Sequence, residues 1–276
     1  MQRQIDEKLL GYVNRLSADI RTEYQIGPEQ FDHESVKRGL RNADGTGVIA
    51  GVTKIGSVRG YQMIDGVPTP EPGKLFYRGI DVMDLVEAHQ AKGTFGYEEV
   101  AYLLLFGHLP TEKQLRRYNA ILSAARILPE GFTEDMIIKA PSNNVMNKLS
   151  RGVLALYSYD PDPDGLSAEN LVRQSIELVG RLPIIVAHAF AVKRHYYDGE
   201  SLFIHVPKES MSVAENLLHM LRKDNKFTPE EARLLDLMLI LHAEHGGGNN
   251  STFACRVLSS TGTDTYGAIS AAVNSL

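Results

Sequence analysis

The chain has one cysteine, no tryptophan and no apolar run long enough to cross a membrane. The single thiol, Cys255, excludes the internal disulfides that hold small secreted domains together. The longest apolar run, Leu182 to Val192, falls short of the roughly 20 residues that a membrane helix needs. No apolar stretch follows Met1, and Asp6 and Glu7 are atypical of organellar transit peptides. The sequence therefore predicts a cytoplasmic protein without a membrane span.

An excess of positive charge is also missing. The 276 residues include 29 basic and 34 acidic side chains, which give a formal net charge of −5. Proteins that bind nucleic acids present a dense basic surface to the phosphates, so no nucleic-acid partner is expected. With 43% hydrophobic residues, the chain is long enough to bury one substantial core.

Helical patterns dominate most of the chain. Apolar residues recur at helical spacing from about residue 5 to residue 24. Further helix starts are marked by three capping boxes: Thr111 with Gln114, Ser212 with Glu215, and Thr228 with Glu231. The segment from Val48 to Ile80 differs, because it is β-branched, punctuated by glycine and rich in proline. Regular strand–helix alternation is missing, so the sequence predicts a mainly α fold with a small β or extended segment near residues 48–80.

The residues after the third capping box carry the clearest chemical signal. The helix that begins there is apolar on nearly all sides in its C-terminal half, which predicts that this half is buried. It leads into His242-Ala243-Glu244-His245, three glycines and Asn249. In one interpretation the glycines end the helix, Asn249 or Ser251 caps the next one, and the histidines form hydrogen bonds in the core. In the other, the glycines let a carboxylate ligand approach the backbone beside a histidine at a helix N-terminus.

A metal site is a weaker interpretation of the same residues. His242 and His245 are three positions apart and would share one face of a helix. A catalytic zinc site needs three protein ligands and a closed structural site needs four. No third ligand is identifiable, since Glu244 would face elsewhere on a regular helix, so the sequence predicts no metal site.

The pattern from His242 to Asn249 resembles the citrate synthase family. The family pattern is His-x-acid-His-x-Gly-Gly-Asn, often with aspartate where this chain has Glu244, followed by Ser-Thr-Phe and Arg-Val-x-x-Ser-Thr. Those later residues are Ser251-Thr252-Phe253 and Arg256 to Thr261 here. The resemblance is collinear from Gly39 to the last residue and includes further motifs in order: Gly39-Leu40-Arg41, Gly51-Val52-Thr53, Tyr77-Arg78-Gly79-Ile80-Asp81, Gly107-His108-Leu109-Pro110-Thr111 and Ala214-Glu215-Asn216-Leu217-Leu218.

The resemblance implies an almost wholly helical, dimeric enzyme with a large and a small domain. Such an enzyme joins oxaloacetate to acetyl-CoA and hydrolyses the thioester to citrate and CoA, with acetyl-CoA as a substrate and no cofactor. By resemblance, His245 is the oxaloacetate-binding histidine, and His242 and Asn249 are neighbours that shape its loop. In domain terms, residues 1–38 would be an N-terminal helical extension and residues 39–276 a partial large domain without the small domain.

The chemistry of the family also needs an aspartate base and an enol-stabilising histidine in a Gly-Pro-x-His-Gly motif. Neither is present in the 276 residues, so we expect no catalytic residue within this chain and no condensation by this chain alone. Two alternatives stay open. One is 2-methylcitrate synthase, which uses propionyl-CoA in the same fold. The other is a non-catalytic truncated homologue that dimerises with an intact enzyme or regulates it.

Overall fold

A computed structural model describes residues 53–276. The helix predicted near residues 5–24, the boundary predicted at residues 38 and 39, and the start of the extended segment lie outside the described residues. The described residues belong to one compact unit.

A three-stranded antiparallel sheet opens the described part of the chain. The strands are β1 (Gly56–Ile64), β2 (Val67–Tyr77) and β3 (Ile80–Asp81), in the order β1-β2-β3. Asp65 and Gly66 join β1 to β2, and both have positive φ angles, of 50° and 79°, as a tight hairpin turn requires. The sheet confirms the extended segment predicted near residues 48–80.

Helices make up most of the chain after the sheet. In the described residues the α-helices are α1 (Val82–Lys92), α2 (Tyr97–Phe106), α3 (Glu112–Ala124), α4 (Val145–Leu156), α5 (Ala168–Asp198), α6 (Val213–Leu221), α7 (Pro229–Leu241), α8 (Asn250–Ser260) and α9 (Thr265–Asn274). A π-helical turn, Thr133–Ile138, and a short 3₁₀ turn, Tyr157–Tyr159, lie on either side of α4. All three predicted capping boxes form, at the starts of α3, α6 and α7. The mainly α prediction is confirmed.

The largest apolar cluster lies among α4, α5, α9 and the π-helical turn. Its fully buried members include Phe132, Val153, Ile185 and Tyr266. A second cluster joins Tyr77 of β2 to α1, α2 and α7. The sheet is therefore fixed to the helices through the last residue of β2.

Two buried carboxylates bind backbone amides across helices. Asp236 of α7 accepts hydrogen bonds from the amides of Gly96 (2.7 Å) and Tyr97 (3.2 Å) at the start of α2. Glu98 of α2 accepts one from the amide of Val213 at the start of α6 (2.7 Å). Burial raises the pKa of both carboxyl groups. Each carboxylate satisfies amides that a helix N-terminus leaves free, so α7, α2 and α6 are held in a fixed arrangement.

A third carboxylate, Asp160, connects the loop after α4 to two helices. Its side chain is fully buried and accepts hydrogen bonds from Arg173 (2.6 Å) and Gln174 (3.1 Å) of α5 and from the hydroxyl of Tyr266 in α9. Burial opposes the charge, but these hydrogen bonds and one from the amide of Asp162 outweigh it and lower the pKa of Asp160 to about 2.

Helix α5 is 31 residues long and includes Pro183 without ending there. Within the described residues it is the one helix whose length and mean hydropathy, 1.5 over its most apolar stretch, would suit a membrane span. Core helices of water-soluble proteins meet the same criterion, and Leu178, Ile185 and Val192 of α5 pack into the largest apolar cluster. The expectation of no membrane span stays a prediction.

Helix α7 is less buried than its sequence pattern predicts. Ala232, Asp236 and Ile240 are buried, but Leu234, Met238 and Leu241 are 60%, 49% and 38% exposed. The expectation that the C-terminal half of this helix is buried was wrong. Only one face of α7 packs into the described part of this chain, and its apolar opposite face is uncovered there.

Candidate functional site

The predicted site residues occupy the connection between α7 and α8. Helix α7 ends at Leu241, and His242 is its C-terminal cap. The connection from His242 to Gly248, which we call the His245 loop, leads to Asn249, the N-cap of α8. The expectation that His242 and His245 share a helix face was wrong, because the helix stops before both.

His242 and Asn249 have local structural roles. Nδ1 of His242 lies 2.7 Å from the carbonyl oxygen of Met238, so Nδ1 carries the proton and donates it to the last turn of α7. The side-chain oxygen of Asn249 accepts a hydrogen bond from the amide of Ser251 (2.8 Å). Asn249 rather than Ser251 therefore caps α8. These contacts leave their roles toward a ligand as predictions.

His245 is exposed to solvent, and within residues 53–276 its ring makes no hydrogen bond. His242 is exposed as well, so neither histidine is a core residue. An imidazole that the fold leaves unbonded has two ring nitrogens available to a ligand. That availability is what the substrate-binding interpretation requires, and the role of His245 stays a prediction.

Tyr77 anchors the His245 loop through backbone contacts of its hydroxyl group. Its side chain is fully buried, and its hydroxyl lies 2.8 Å from the carbonyl oxygen of Ile240, to which it donates. The same hydroxyl lies 3.3 Å from the carbonyl oxygen and 3.4 Å from the amide of Glu244. Burial raises the pKa of Tyr77, so the hydroxyl keeps its proton at neutral pH. One side chain thus bonds both the end of α7 and the middle of the loop.

Glu244 turns its carboxylate back onto the loop and onto β1. The carboxylate accepts a hydrogen bond from the amide of Gly246 (2.7 Å). It lies over Gly56, where a Cβ would stand 1.7 Å from the nearer carboxylate oxygen. Gly246 has a φ of 84°, and a side chain there would press on Val58 of β1 at 3.2 Å. The loop is therefore packed directly against the first residues of β1.

Arg256 of α8 lines the other side of the loop. A Cβ placed on Gly247 would lie 3.8 Å from both terminal nitrogens of its guanidinium and 3.4 Å from the Thr53 methyl group. In the sequence Arg256 is recognisable only as part of a family motif, and its position beside the loop was not predicted. Tyr77 and Gly56 were likewise missed as site residues, although Tyr77 also belongs to a family motif.

The described residues form no metal cluster at the His245 loop. Among residues 53–276, no three His, Cys, Asp or Glu side chains are grouped as metal ligands. Two large cavities, of about 460 and 440 Å³, lie between α1 and α7 and beside His188 of α5. Neither is lined by His242, His245 or Asn249.

Comparison with known proteins identifies the family. The profile described as "Citrate synthase, C-terminal domain" matches residues 42–276. 2-Methylcitrate synthase 1 of Corynebacterium glutamicum is 34% identical over 246 residues, which are 87% of this chain and 57% of that protein. The glyoxysomal citrate synthase of Cucurbita maxima is 32% identical over 216 residues, 74% of this chain and 39% of that protein.

Solved structures agree with this match. The crystal structure of citrate synthase from Pyrobaculum aerophilum superposes with a TM-score of 0.69 at 28% identity, over 87% of this chain and 57% of that one. A ternary complex of citrate synthase from Thermoplasma acidophilum with carboxymethyl coenzyme A and oxaloacetate gives 0.66 at 26% identity, over 82% and 53%. The chain spans about half the length of these proteins. On the sequence and on the arrangement of its helices, the chain belongs to the citrate synthase family.

Proposed function

We propose that this chain carries the oxaloacetate-binding loop of an enzyme that condenses acetyl-CoA with oxaloacetate to citrate and CoA. The observation that carries the proposal is the exposed, unbonded imidazole of His245 on a loop that is held from behind within the described residues. The family is a condensing, transferase-type one, and a relative of similar fold has been solved with oxaloacetate and a CoA analogue.

The chemistry fits an imidazole at this place. Oxaloacetate has a ketone between two carboxylates, and carbon–carbon bond formation moves an electron pair onto the ketone oxygen. A ring N–H of His245 aimed at that oxygen would stabilise the charge as it develops. The same ring could donate to a substrate carboxylate in the ground state. Both contacts need no group of this chain other than the imidazole of His245.

The acyl donor has a second candidate, propionyl-CoA. Among the relatives, one protein of Corynebacterium glutamicum at 34% identity is a 2-methylcitrate synthase, and plant relatives are citrate synthases. The two reactions differ by one methylene on the acyl group, a difference that a pocket discriminates by roughly 10- to 200-fold. Assays of an intact enzyme that contains this chain, with both thioesters, decide between them by the ratio of their kcat/KM values.

We also propose that the 276-residue polypeptide alone does not turn over. In the described residues the neighbouring carboxylate, Glu244, is already bound to the amide of Gly246, so the loop offers no unengaged carboxylate base next to His245. Thiol release from acetyl-CoA or propionyl-CoA with oxaloacetate measures this directly. Turnover by the purified polypeptide would contradict the inactivity and leave the condensing function supported.

Oxaloacetate binding tests the function without turnover. In a protein with ¹³C-labelled histidine, added oxaloacetate should shift the ring signals of His245 in a saturable way. His108 is exposed in the loop before α3 and serves as the control. Succinate lacks the ketone and should shift His245 less. Calorimetry, which does not depend on the ring signal, should detect saturable oxaloacetate binding to the wild-type protein and none to the His245→Gln variant. A wild-type protein whose His245 signal does not respond would refute the proposal.

We propose further that the chain forms a homodimer through the uncovered face of α7. Leu234, Met238 and Leu241 recur at helical spacing on one side and are 38–60% exposed. Phe253 and Val257 on α8 are 37% and 48% exposed. Large apolar side chains exposed along one side of a helix are typical of a protein interface.

Light scattering after size-exclusion chromatography tests the dimer. The wild-type protein should elute as a dimer and Leu234→Glu as a monomer. Leu166→Glu, which changes an exposed leucine in the loop before α5, should leave the dimer intact. A monomeric wild-type protein would refute this interface.

A further inference from the structure

We propose that Tyr77, Gly56 and Glu244 act together as a brace that positions His245 for oxaloacetate; the inference rests on the proposed function. The acid of the His-x-acid-His pattern would then be a positioning residue and not a reacting group. Glu244 is far from the other two residues in sequence, but the sheet brings all three together.

The hydrogen-bond register of the sheet explains how they meet. Gly56 of β1 pairs with Tyr77 of β2, so these two residues are neighbours at the base of the ribbon. Both are buried there. The Tyr77 hydroxyl then reaches the carbonyl oxygen of Ile240 and both backbone groups of Glu244. Glu244 is therefore held by its backbone from one strand while its side chain lies over the other.

The Glu244 side chain fills the space that is left because Gly56 has no side chain. The Glu244 carboxylate occupies the place where a β-carbon at position 56 would be, and from there it accepts the hydrogen bond of the Gly246 amide. Any side chain at position 56 would push the carboxylate off that amide. The same hydrogen bond holds Gly246, which has a positive φ, directly after His245 in the chain.

This arrangement leaves His245 free while fixing the backbone on both sides of it. Glu244 is bound through its amide, which donates to the Tyr77 hydroxyl, and through its carboxylate, which accepts from the amide of Gly246. The ring between them has no hydrogen bond within residues 53–276. A residue whose backbone is already fixed loses little backbone conformational entropy when a ligand binds its ring. We therefore expect the brace to act on affinity more than on overall stability.

The first experiment measures the brace without a ligand, by amide hydrogen exchange at Gly246. Exchange should be slow in the wild-type protein and in Glu244→Gln, whose amide oxygen still accepts the hydrogen bond. It should be at least roughly five-fold faster in Glu244→Ala and Gly56→Ala, as expected for loss of one hydrogen bond. Unchanged exchange in Glu244→Ala would overturn the brace whatever oxaloacetate does.

The second experiment measures oxaloacetate affinity from the His245 ring signal. Glu244→Ala, Gly56→Ala and Tyr77→Phe should each weaken binding on the order of 5- to 10-fold, while Glu244→Gln stays within about two-fold. The control for Tyr77 is Tyr118→Phe. Tyr118 is also buried, and its hydroxyl has no hydrogen-bond partner among the described residues, so its removal should not change affinity.

A double-mutant cycle separates the brace from a general effect on folding. If Gly56→Ala acts by displacing the Glu244 carboxylate, it should add little once Glu244→Ala has removed that carboxylate. Additive losses in affinity would mean that Gly56 acts independently and would overturn the proposal. A wild-type protein that does not bind oxaloacetate refutes the proposed function and the positioning together, and Gly246 exchange still decides whether the brace exists.

Discussion

Two loops between helices differ in what their polar groups do. The loop from Asp160 to Leu166, after α4, directs its carboxylate and its carbonyls to partners inside the fold. Asp160 binds α5 and α9, and the carbonyl oxygens of Asp162 and Gly165 each accept a hydrogen bond of 2.8 Å from Asn170. The His245 loop binds the fold through Tyr77 and Glu244 and leaves its histidine exposed.

The comparison shows how to separate a structural loop from a binding loop of similar composition. Both loops join two helices and both contain glycine and acidic residues. In the Asp160 loop the charged group is buried and satisfied, so its removal leaves donors without an acceptor. In the His245 loop the Glu244 carboxylate accepts a hydrogen bond from the loop itself. The His245 ring has no hydrogen-bond partner within the described residues. We therefore expect changes in the first loop to affect stability and changes in the second to affect ligand binding.

The largest expected effect is that of Asp160→Ala. Arg173 and Tyr266 would lose a buried acceptor. The Arg173 side chain is 34% exposed and can be solvated, so the main cost is the buried Tyr266 hydroxyl left without its acceptor, about 1 to 3 kcal/mol. Urea denaturation should show this loss in the free energy of unfolding. Asp162→Ala, which changes an exposed carboxylate two residues later, should change it by less than about 0.5 kcal/mol. Equal effects of the two substitutions would contradict the distinction between the loops.

The next largest effect is expected from acid, which should remove the contribution of Asp160 to the free energy of unfolding. The pKa of Asp160 is about 2 in the folded chain against an ordinary 3.8, so the unfolded chain binds the proton first as pH falls. The stability that the charged group contributes is present above about pH 4 and is lost between about pH 4 and pH 2. The difference amounts to about 2 kcal/mol.

Comparison with Asp160→Asn isolates this contribution. The pKa values of Glu98 and Asp236 are raised, so those groups change stability in the opposite direction, but equally in both proteins. The free energies of unfolding of the two proteins should converge by about 2 kcal/mol between about pH 5 and pH 2.5. A constant difference would show that the charge of Asp160 does not contribute to stability.

A smaller effect is expected where the His245 loop ends. Asn249 caps α8, and loss of an N-cap side chain costs about 1 kcal/mol. Asn249→Ala should lower the free energy of unfolding by that amount. Asn250→Ala, at the first exposed position of the same helix, is the control and should be nearly neutral.

The smallest effect on stability is expected at His245. His245→Ala should change the free energy of unfolding by less than about 0.5 kcal/mol, because the ring is exposed and unbonded in the described part of the chain. It should nevertheless abolish saturable binding of oxaloacetate, measured by calorimetry. A large loss of stability in this variant would place His245 with Asp160 as a structural residue.

Local signals in the sequence predicted local structure well. The three capping boxes formed at the starts of α3, α6 and α7. Each depends on side chains and amides within about one helical turn, so the sequence alone contains the information. The mainly α fold was predicted from helical patterns, and the family from motifs in the right order.

Long-range contacts explain what could not be predicted. Tyr77 meets Ile240, which lies 163 positions further along the chain, and nothing near either residue indicates the pairing. The contact of Gly56 with Glu244 depends on the register of β1 against β2. The exposed face of α7 was predicted to be buried because its composition is apolar on nearly all sides. Composition does not say whether the neighbour that covers such a face belongs to the same chain.

The hairpin at the start of the described chain is a suitable place to insert a label. After Gly56, every residue of β1 is exposed, and the connection at Asp65 and Gly66 lies at the far end of the ribbon from Tyr77. Lengthening an exposed turn costs little entropy. A short epitope or a dye inserted between Asp65 and Gly66 should leave the helices undisturbed, and it would give a spectroscopic signal attached to the strand that carries Gly56.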